Sequence, residues 1–299
     1  MRITTAGTNT ELIAQLQSLE SQQNDLQTQV STGQRVSQPG DDPLAVSQVV
    51  ADQMEESTLT QDGLNANTAL ADSQNTSAGL SQLKSLADTA SQLAATASST
   101  TGTQGMQAAA TQVNQLLEQA VSAGNSTSGG NYLFAGTALS TAPFTVTRDP
   151  TSGQITSVAY AGSANSVSVP LGDGSSVQPG TDATTNTALA TFMNQLVTLR
   201  NSLQSGDSTS AQATATPLAD SDDTIVGAIS DQAAVQSRIQ IAQTRQQTQL
   251  TNLGQDISTA TAVDMPTAIT KLNLASEAYQ AALESAAKFM NVSLLNYIH

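Results

Sequence analysis

Residues 269–290 read ITKLNLASEAYQAALESAAKFM, a stretch in which apolar or small side chains recur every three or four residues. An unbroken alternation of three and four is the heptad pattern of a helix that packs along another helix, whereas a half-buried strand alternates every second residue. The stretch therefore predicts a C-terminal helix with one apolar seam, which Leu294 and Leu295 extend. The positions of this seam are Ile269, Leu272, Ser276, Tyr279, Leu283, Ala286 and Met290.

The N-terminal stretch carries a matching pattern. A buried Gln23 occupies the one position at which an apolar residue is skipped, where it would weaken the seam and help to fix its register. Because each end of the chain carries a heptad segment, we expect the two ends to lie side by side as long antiparallel, coiled-coil helices that form a rod. The apolar positions are Leu12, Leu16, Leu19, Leu26 and Val30, at spacings of 4, 3, 7 and 4.

A dense cluster of turn residues, Pro39-Gly-Asp-Asp-Pro43, follows the first heptad segment. Asp41 or Asp42 is expected to cap the next helix, with Pro43 in its first turn. A catalytic or calcium-binding pair is the alternative, but no third and fourth oxygen ligand accompanies the two carboxylates. We interpret the turn as a helix cap. Arg35 is expected to pair with a carboxylate of a neighbouring subunit rather than to stay solvated, because basic residues are few in this acidic chain.

Helical periodicity continues from about residue 44 to 96, with a later seam at Leu80, Leu83, Ala87, Ala90 and Ala94 in 3-4-3-4 spacing, and again from 106 to 123. Between residues 131 and 180 the pattern changes to short β-branched stretches, which predict strands at 144–147, 155–160 and 167–171. Gly172-Asp-Gly174 between them lacks the Lys and the following helix of a phosphate loop, so it predicts a hairpin turn. The insertion leaves and re-enters helical sequence, and we expect it to be a separable outer domain that is dispensable for assembly.

The predicted fold is therefore mainly α, with a small inserted β domain. Its predicted divisions are an N-terminal assembly segment at 1–40, a first helical part at 41–130, the outer β domain at 131–180, a second helical part at 181–260 and a C-terminal assembly segment at 261–299.

The amino-acid composition argues against several classes of function. The formal net charge of -15 makes nucleic acid and anionic membranes poor partners by repulsion. The chain has no Cys, and its one His is the last residue, His299, so zinc binding and His-dependent catalysis lack their usual side chains. No apolar run approaches the roughly 18 residues of a membrane span. We expect no enzyme activity and no cofactor or metal.

Four stretches resemble the flagellin and hook-associated superfamily. Val30-Ser-Thr-Gly-Gln-Arg-Val-Ser-Gln-Pro-Gly-Asp-Asp-Pro43 is similar to the N-terminal turn of that family, and Asn131-Tyr-Leu-Phe-Ala-Gly-Thr137 looks like the entry to the outer domain of hook–filament junction proteins. Val158-Ala-Tyr-Ala-Gly162 resembles a strand and turn in that domain. Ala278-Tyr-Gln-Ala-Ala-Leu283, with Ser293-Leu-Leu-Asn-Tyr-Ile298, resembles the terminal helix of flagellar axial proteins.

The resemblance implies a secreted, extracellular structural subunit that joins hook to filament, exported unfolded through the flagellar type III apparatus without a cleaved signal. The partners it implies are further copies in a ring or tubular lattice, the other hook–filament junction protein, flagellin, and an export chaperone near the C-terminal segment. A filament flagellin is the alternative, and a secreted adhesin or stalk is an alternative of another class. The expected assembly interface is Leu12, Leu16, Leu19, Leu26, Val30, Leu272, Tyr279, Leu283, Met290, Leu294 and Leu295.

Overall fold

The computed structural model describes residues 2–36, 38–97 and 102–295, with the side chains of the first and last helices described from Thr10 and up to Lys288. Long helices dominate, as the 3-4 spacing predicted, and this confirms the mainly α fold class. The helices are α1 (Arg2–Thr32), α2 (Pro43–Thr96), α3 (Gly102–Gly124), α4 (Ala183–Ser205), α5 (Ser208–Ala213), α6 (Ala215–Thr261) and α7 (Met265–Leu295).

Three antiparallel two-stranded sheets lie between α3 and α4. Asp173 and Gly174 join the last two strands with φ angles of 51° and 68°, the left-handed conformation that a two-residue hairpin turn requires. The predicted hairpin turn is confirmed. The strands are β1 (Thr127–Ser128) with β2 (Asn131–Tyr132), β3 (Phe144–Arg148) with β4 (Ile155–Tyr160), and β5 (Val169–Gly172) with β6 (Ser175–Val177).

The described residues divide into two compact units. The terminal unit contains the two ends of the chain, up to Thr58 and from Thr248. The central unit contains Leu59–Gln247 and therefore all six strands. Both α2 and α6 contribute residues to each unit.

The core of the central unit is built from α2, α3, α4, α6 and the β3–β4 hairpin. The seam predicted for the second half of α2 is fully buried there, since Leu80, Leu83, Ala87, Ala90 and Ala94 are all 0% exposed. The inserted segment adds its own large side chains to this same core, chiefly Phe134, Phe144 and Ile155. The insertion is small, as predicted, but it shares its core with the helices, so we now expect its deletion to destabilise the central unit.

Two asparagines hold the β3–β4 hairpin to the helices. The Asn194 side chain on α4 accepts a hydrogen bond from the Val158 backbone N–H at 2.9 Å and donates one to the Val158 carbonyl at 2.8 Å. Asn125 makes the same pair of bonds to the backbone of Phe144, at 3.0 and 2.9 Å. A two-stranded sheet has two open edges, and each amide satisfies backbone groups that would otherwise lack a partner in a partly buried position.

Candidate assembly surface

In the terminal unit α1 packs along α7 in antiparallel orientation. The hydrogen bonds next to the antiparallel bridge between Gln34 and Ala262 anchor this arrangement: the Arg35 N–H donates to the Thr261 carbonyl at 2.6 Å and the Val263 N–H donates to the Gly33 carbonyl at 3.0 Å. These bonds join the turn after α1 to the turn before α7. The predicted pairing of the two chain ends is confirmed.

The seam of α1 lies where the heptad spacing placed it. Leu26 is buried, and Leu12, Leu16, Leu19 and Val30 are partly buried. Gln23, in the skipped position, is also partly buried. Because the burial of these side chains follows their packing on α7 of the same chain, their role as a contact between subunits stays a prediction.

The face of α7 that α1 covers overlaps the predicted seam only in part, with Ala286 common to both. Its buried positions are the small residues Ala268, Ala275 and Ala286, whereas Ile269 and Leu283 are each 44% exposed. Small side chains let two helices approach closely, and the alanine side of α7 offers such a surface. The predicted seam is therefore only partly used within the chain. Of its other members, Leu272 and Tyr279 are partly buried.

Three of the predicted interface side chains lie outside the described part of the structure. These are Met290, Leu294 and Leu295. Their part in assembly stays a prediction.

The turn before α2 places its two aspartates in different roles. Asp42 accepts a hydrogen bond from the Ala45 backbone N–H at 3.1 Å, the bond of a helix N-cap with Pro43 as the first helical residue. Asp41 instead accepts from the Gln38 N–H at 2.8 Å, inside the turn. The bond from Ala45, followed by the hydrogen bond from Arg35, lowers the pKa of the Asp42 carboxyl below its ordinary value.

Arg35 is paired within its own chain, which corrects the expectation of a partner in a neighbouring subunit. Its Nη1 lies 3.0 Å from Asp42 Oδ2, and its Nη2 donates to the Ala260 carbonyl at 3.2 Å. The guanidinium fork thus connects the cap of α2 to the last turn of α6. Both partners sit close to Arg35 only because the two interhelical turns meet, a contact that the local sequence does not display.

In the described ranges no group of three or more His, Cys, Asp or Glu side chains is arranged to hold a metal ion. Within the same residues, the helices lack an apolar stretch long enough to cross a membrane.

Residues 3–138 match the family model of the bacterial flagellin N-terminal helical region. The matched segment is slightly less than half of the chain and resembles the N-terminal helical region of flagellins. The matched residues include α1, the Asp41–Pro43 turn, α2, α3 and the segment 131–137 that suggested the resemblance. The match confirms the resemblance to the flagellin and hook-associated superfamily.

Three solved structures share the fold of this chain. One is a candidate flagellar hook-associated protein from Vibrio parahaemolyticus, with a TM-score of 0.65, 15% identity, and coverage of 74% of this chain and 99% of that one. FlgL from Bacillus cereus has a TM-score of 0.59 at 21% identity, covering 70% and 99% of the two chains. FlgL from Xanthomonas campestris has a TM-score of 0.55 at 15% identity, covering 69% and 99%. No curated protein sequence matches the chain.

Proposed function

We propose that this protein is a structural subunit of the bacterial flagellum that joins the hook to the filament. The observation that supports this best is the likeness to FlgL from Bacillus cereus, in which nearly the whole of that chain, 99%, is matched at a TM-score of 0.59. The flagellin N-terminal region in residues 3–138 supports the same proposal independently of the fold.

The proposed partners are further copies of the chain in a ring or tubular lattice, the other hook–filament junction protein, flagellin and an export chaperone. The protein works outside the cell, after export, and has no catalytic role. The structural observation that favours assembly is the set of large apolar side chains left exposed in the terminal unit, among them Leu44, Met54 and Leu274. Exposed apolar surface of this kind commonly marks a contact with another protein.

Electron microscopy of a strain that lacks the gene tests the proposal. Loss of a junction subunit leaves hooks without filaments while flagellin accumulates in the medium. Loss of a filament flagellin also leaves bare hooks, but the medium then contains no shed filament protein. Intact filaments in the deletion strain would overturn the proposal and favour an adhesin or stalk.

A further inference from the structure

The first four turns of α2 carry an exposed stripe on the side away from its buried positions. Leu44 is 81% exposed and Met54 is 68% exposed. With Ser47, Ala51 and Thr58, which are also exposed, they follow the spacing 3, 4, 3, 4 that places residues on one helix face. We call these five residues the α2 stripe. Glu55, also exposed, lies at its flank.

A second exposed stripe runs along α7. Leu274, 60% exposed, is its large apolar residue. The members of this stripe lie one residue before positions that α1 covers, such as Ala268 or Ala275. The stripe therefore lies about 100° around the helix from the contact with α1. The α7 stripe consists of Thr267, Lys271, Leu274, Ala278, Ala281, Ser285 and Lys288, all exposed and spaced alternately by 4 and 3.

The α7 stripe contains two basic side chains, Lys271 and Lys288, whereas the α2 stripe is uncharged and has the acidic Glu55 at its flank. Lys271 and Lys288 have no ion-pair partner among the described residues, whereas Lys84, the remaining lysine, lies 2.9 Å from Asp88. A chain with a net charge of -15 presents mainly acidic surface to its neighbours, so two copies repel one another over most of their area. The α7 stripe, whose two lysines lack an ion-pair partner within the described part of the chain, is a surface to which an acidic helix face of another copy is attracted.

We propose that the α7 stripe of one copy packs against the α2 stripe of the next copy, with Lys271 near Glu55 and Leu274 among Leu44 and Met54. This inference rests on the proposed function, because it requires that the chain polymerises. The contact joins two different surfaces of the same unit, so it is heterologous. Repeated heterologous contacts build a ring if the rotation closes and a helical tube if it does not.

Charge reversal tests the pairing in the deletion strain. The variants Lys271→Glu and Glu55→Lys each place like charges together at every contact, and we expect either one alone to lower the fraction of cells with filaments by about tenfold or more. Co-expression of the two variants should restore filaments, because copies that alternate meet opposite charges at each contact. Glu277→Lys, on the same helix but outside the stripe, is the matched control and should support filaments.

The results separate this inference from the proposed function. Filaments built by either reversed variant alone, or no rescue by co-expression, would overturn the stripe pairing while wild-type complementation still supports a junction role. Filaments in the uncomplemented deletion strain would instead overturn the proposed function. A variant that fails to be exported is recognised because it is absent from the medium. Thiol labelling tests the same contact without reversing a charge.

Thiol labelling is that second measurement, because the chain has no cysteine of its own. Met54→Cys and Leu274→Cys should each react with a maleimide in the monomer and become protected in isolated hook–filament complexes. Thr151→Cys, in the exposed β3–β4 turn, serves as the labelling control in both states. Full reactivity of either stripe cysteine in the assembled complex would contradict the proposal.

Discussion

The central and terminal units bury different kinds of side chain. In the central unit large residues such as Phe192, Leu117 and Leu196 are 0% exposed. In the terminal unit the large buried apolar residues among those described are Leu26, Val36 and Leu253, at 7–9% exposure, and the other buried apolar residues are alanines. A two-helix contact cannot enclose a large side chain completely, whereas several helices around one core can.

This difference indicates that the two units differ in how far their own internal contacts stabilise them. The central unit buries many large apolar side chains in one core, so we expect it to fold through its own contacts. The terminal unit leaves Leu44, Met54 and Leu274 more than half exposed, and under the proposed function this apolar surface is the part that another chain would cover. Single substitutions in the two units test this difference in stabilisation.

The largest expected effect is that of truncating a leucine in the central core. Leu117→Ala removes a fully buried side chain from α3 and should lower the free energy of unfolding by about 2–5 kcal/mol. The matched change Leu283→Ala, at 44% exposure on α7, should cost the monomer about 1 kcal/mol or less. Urea unfolding of both purified variants measures the difference. Equal losses would mean that the terminal unit is as dependent on its internal contacts as the central one.

A smaller effect is expected from removing one amide that holds the β3–β4 hairpin. Asn194→Ala leaves the N–H and carbonyl of Val158, a residue that is 4% exposed, without the bonds that Asn194 provides. We expect a loss of about 1–3 kcal/mol in the stability of the central unit. Thr198→Ala, one turn later on the exposed side of α4, is the control. A stability unchanged by Asn194→Ala would show that water replaces the amide.

The smallest effect concerns acid stability. Glu118 on α3 accepts two hydrogen bonds from Arg148 on β3, at 2.5 and 2.8 Å, and this contact lowers the pKa of the Glu118 carboxyl below its ordinary value. A lowered pKa in the folded state means that the stabilisation is present above the ordinary glutamate pKa and is lost as the pH falls through the lowered one. The Arg148 and Glu118 side chains are 43% and 40% exposed, respectively, so solvent weakens the ion pair.

Melting curves of the wild type and of Glu118→Gln, recorded from neutral to acid pH, measure this contribution. The wild type should be the more stable at neutral pH, and the two curves should converge once the carboxyl of the wild type is protonated. A constant difference at all pH values would assign the effect to packing of the side chain and not to its charge.

Much of the fold is predictable because its signals are local. The spacing of Leu12 to Val30 and of Leu80 to Ala94 defines one face of a helix whatever that face meets, and the structure buries or partly buries those residues. The Asp173-Gly174 pair similarly favours a two-residue hairpin turn through its own backbone preference. For the candidate assembly surface, the sequence predicted that the two chain ends pack together. It did not show which positions on α7 contact α1.

The sequence by itself determined the helices, the hairpin turn, the acidic surface and the likeness to flagellins, since each of these depends on residues close together in the chain or on composition. Only the tertiary structure decided that α1 meets the alanines of α7, leaving Ile269 and Leu283 at the edge of that contact. It also decided that Asn125 and Asn194 bind strand backbones, and that Arg200, 2% exposed, is held by Asn114 and Asn201. Apart from the bonds between the adjacent residues Arg200 and Asn201, these contacts join residues far apart in the chain. They depend on how closely two helices approach and on which backbone groups are left to be satisfied, and neither quantity is encoded in a local pattern.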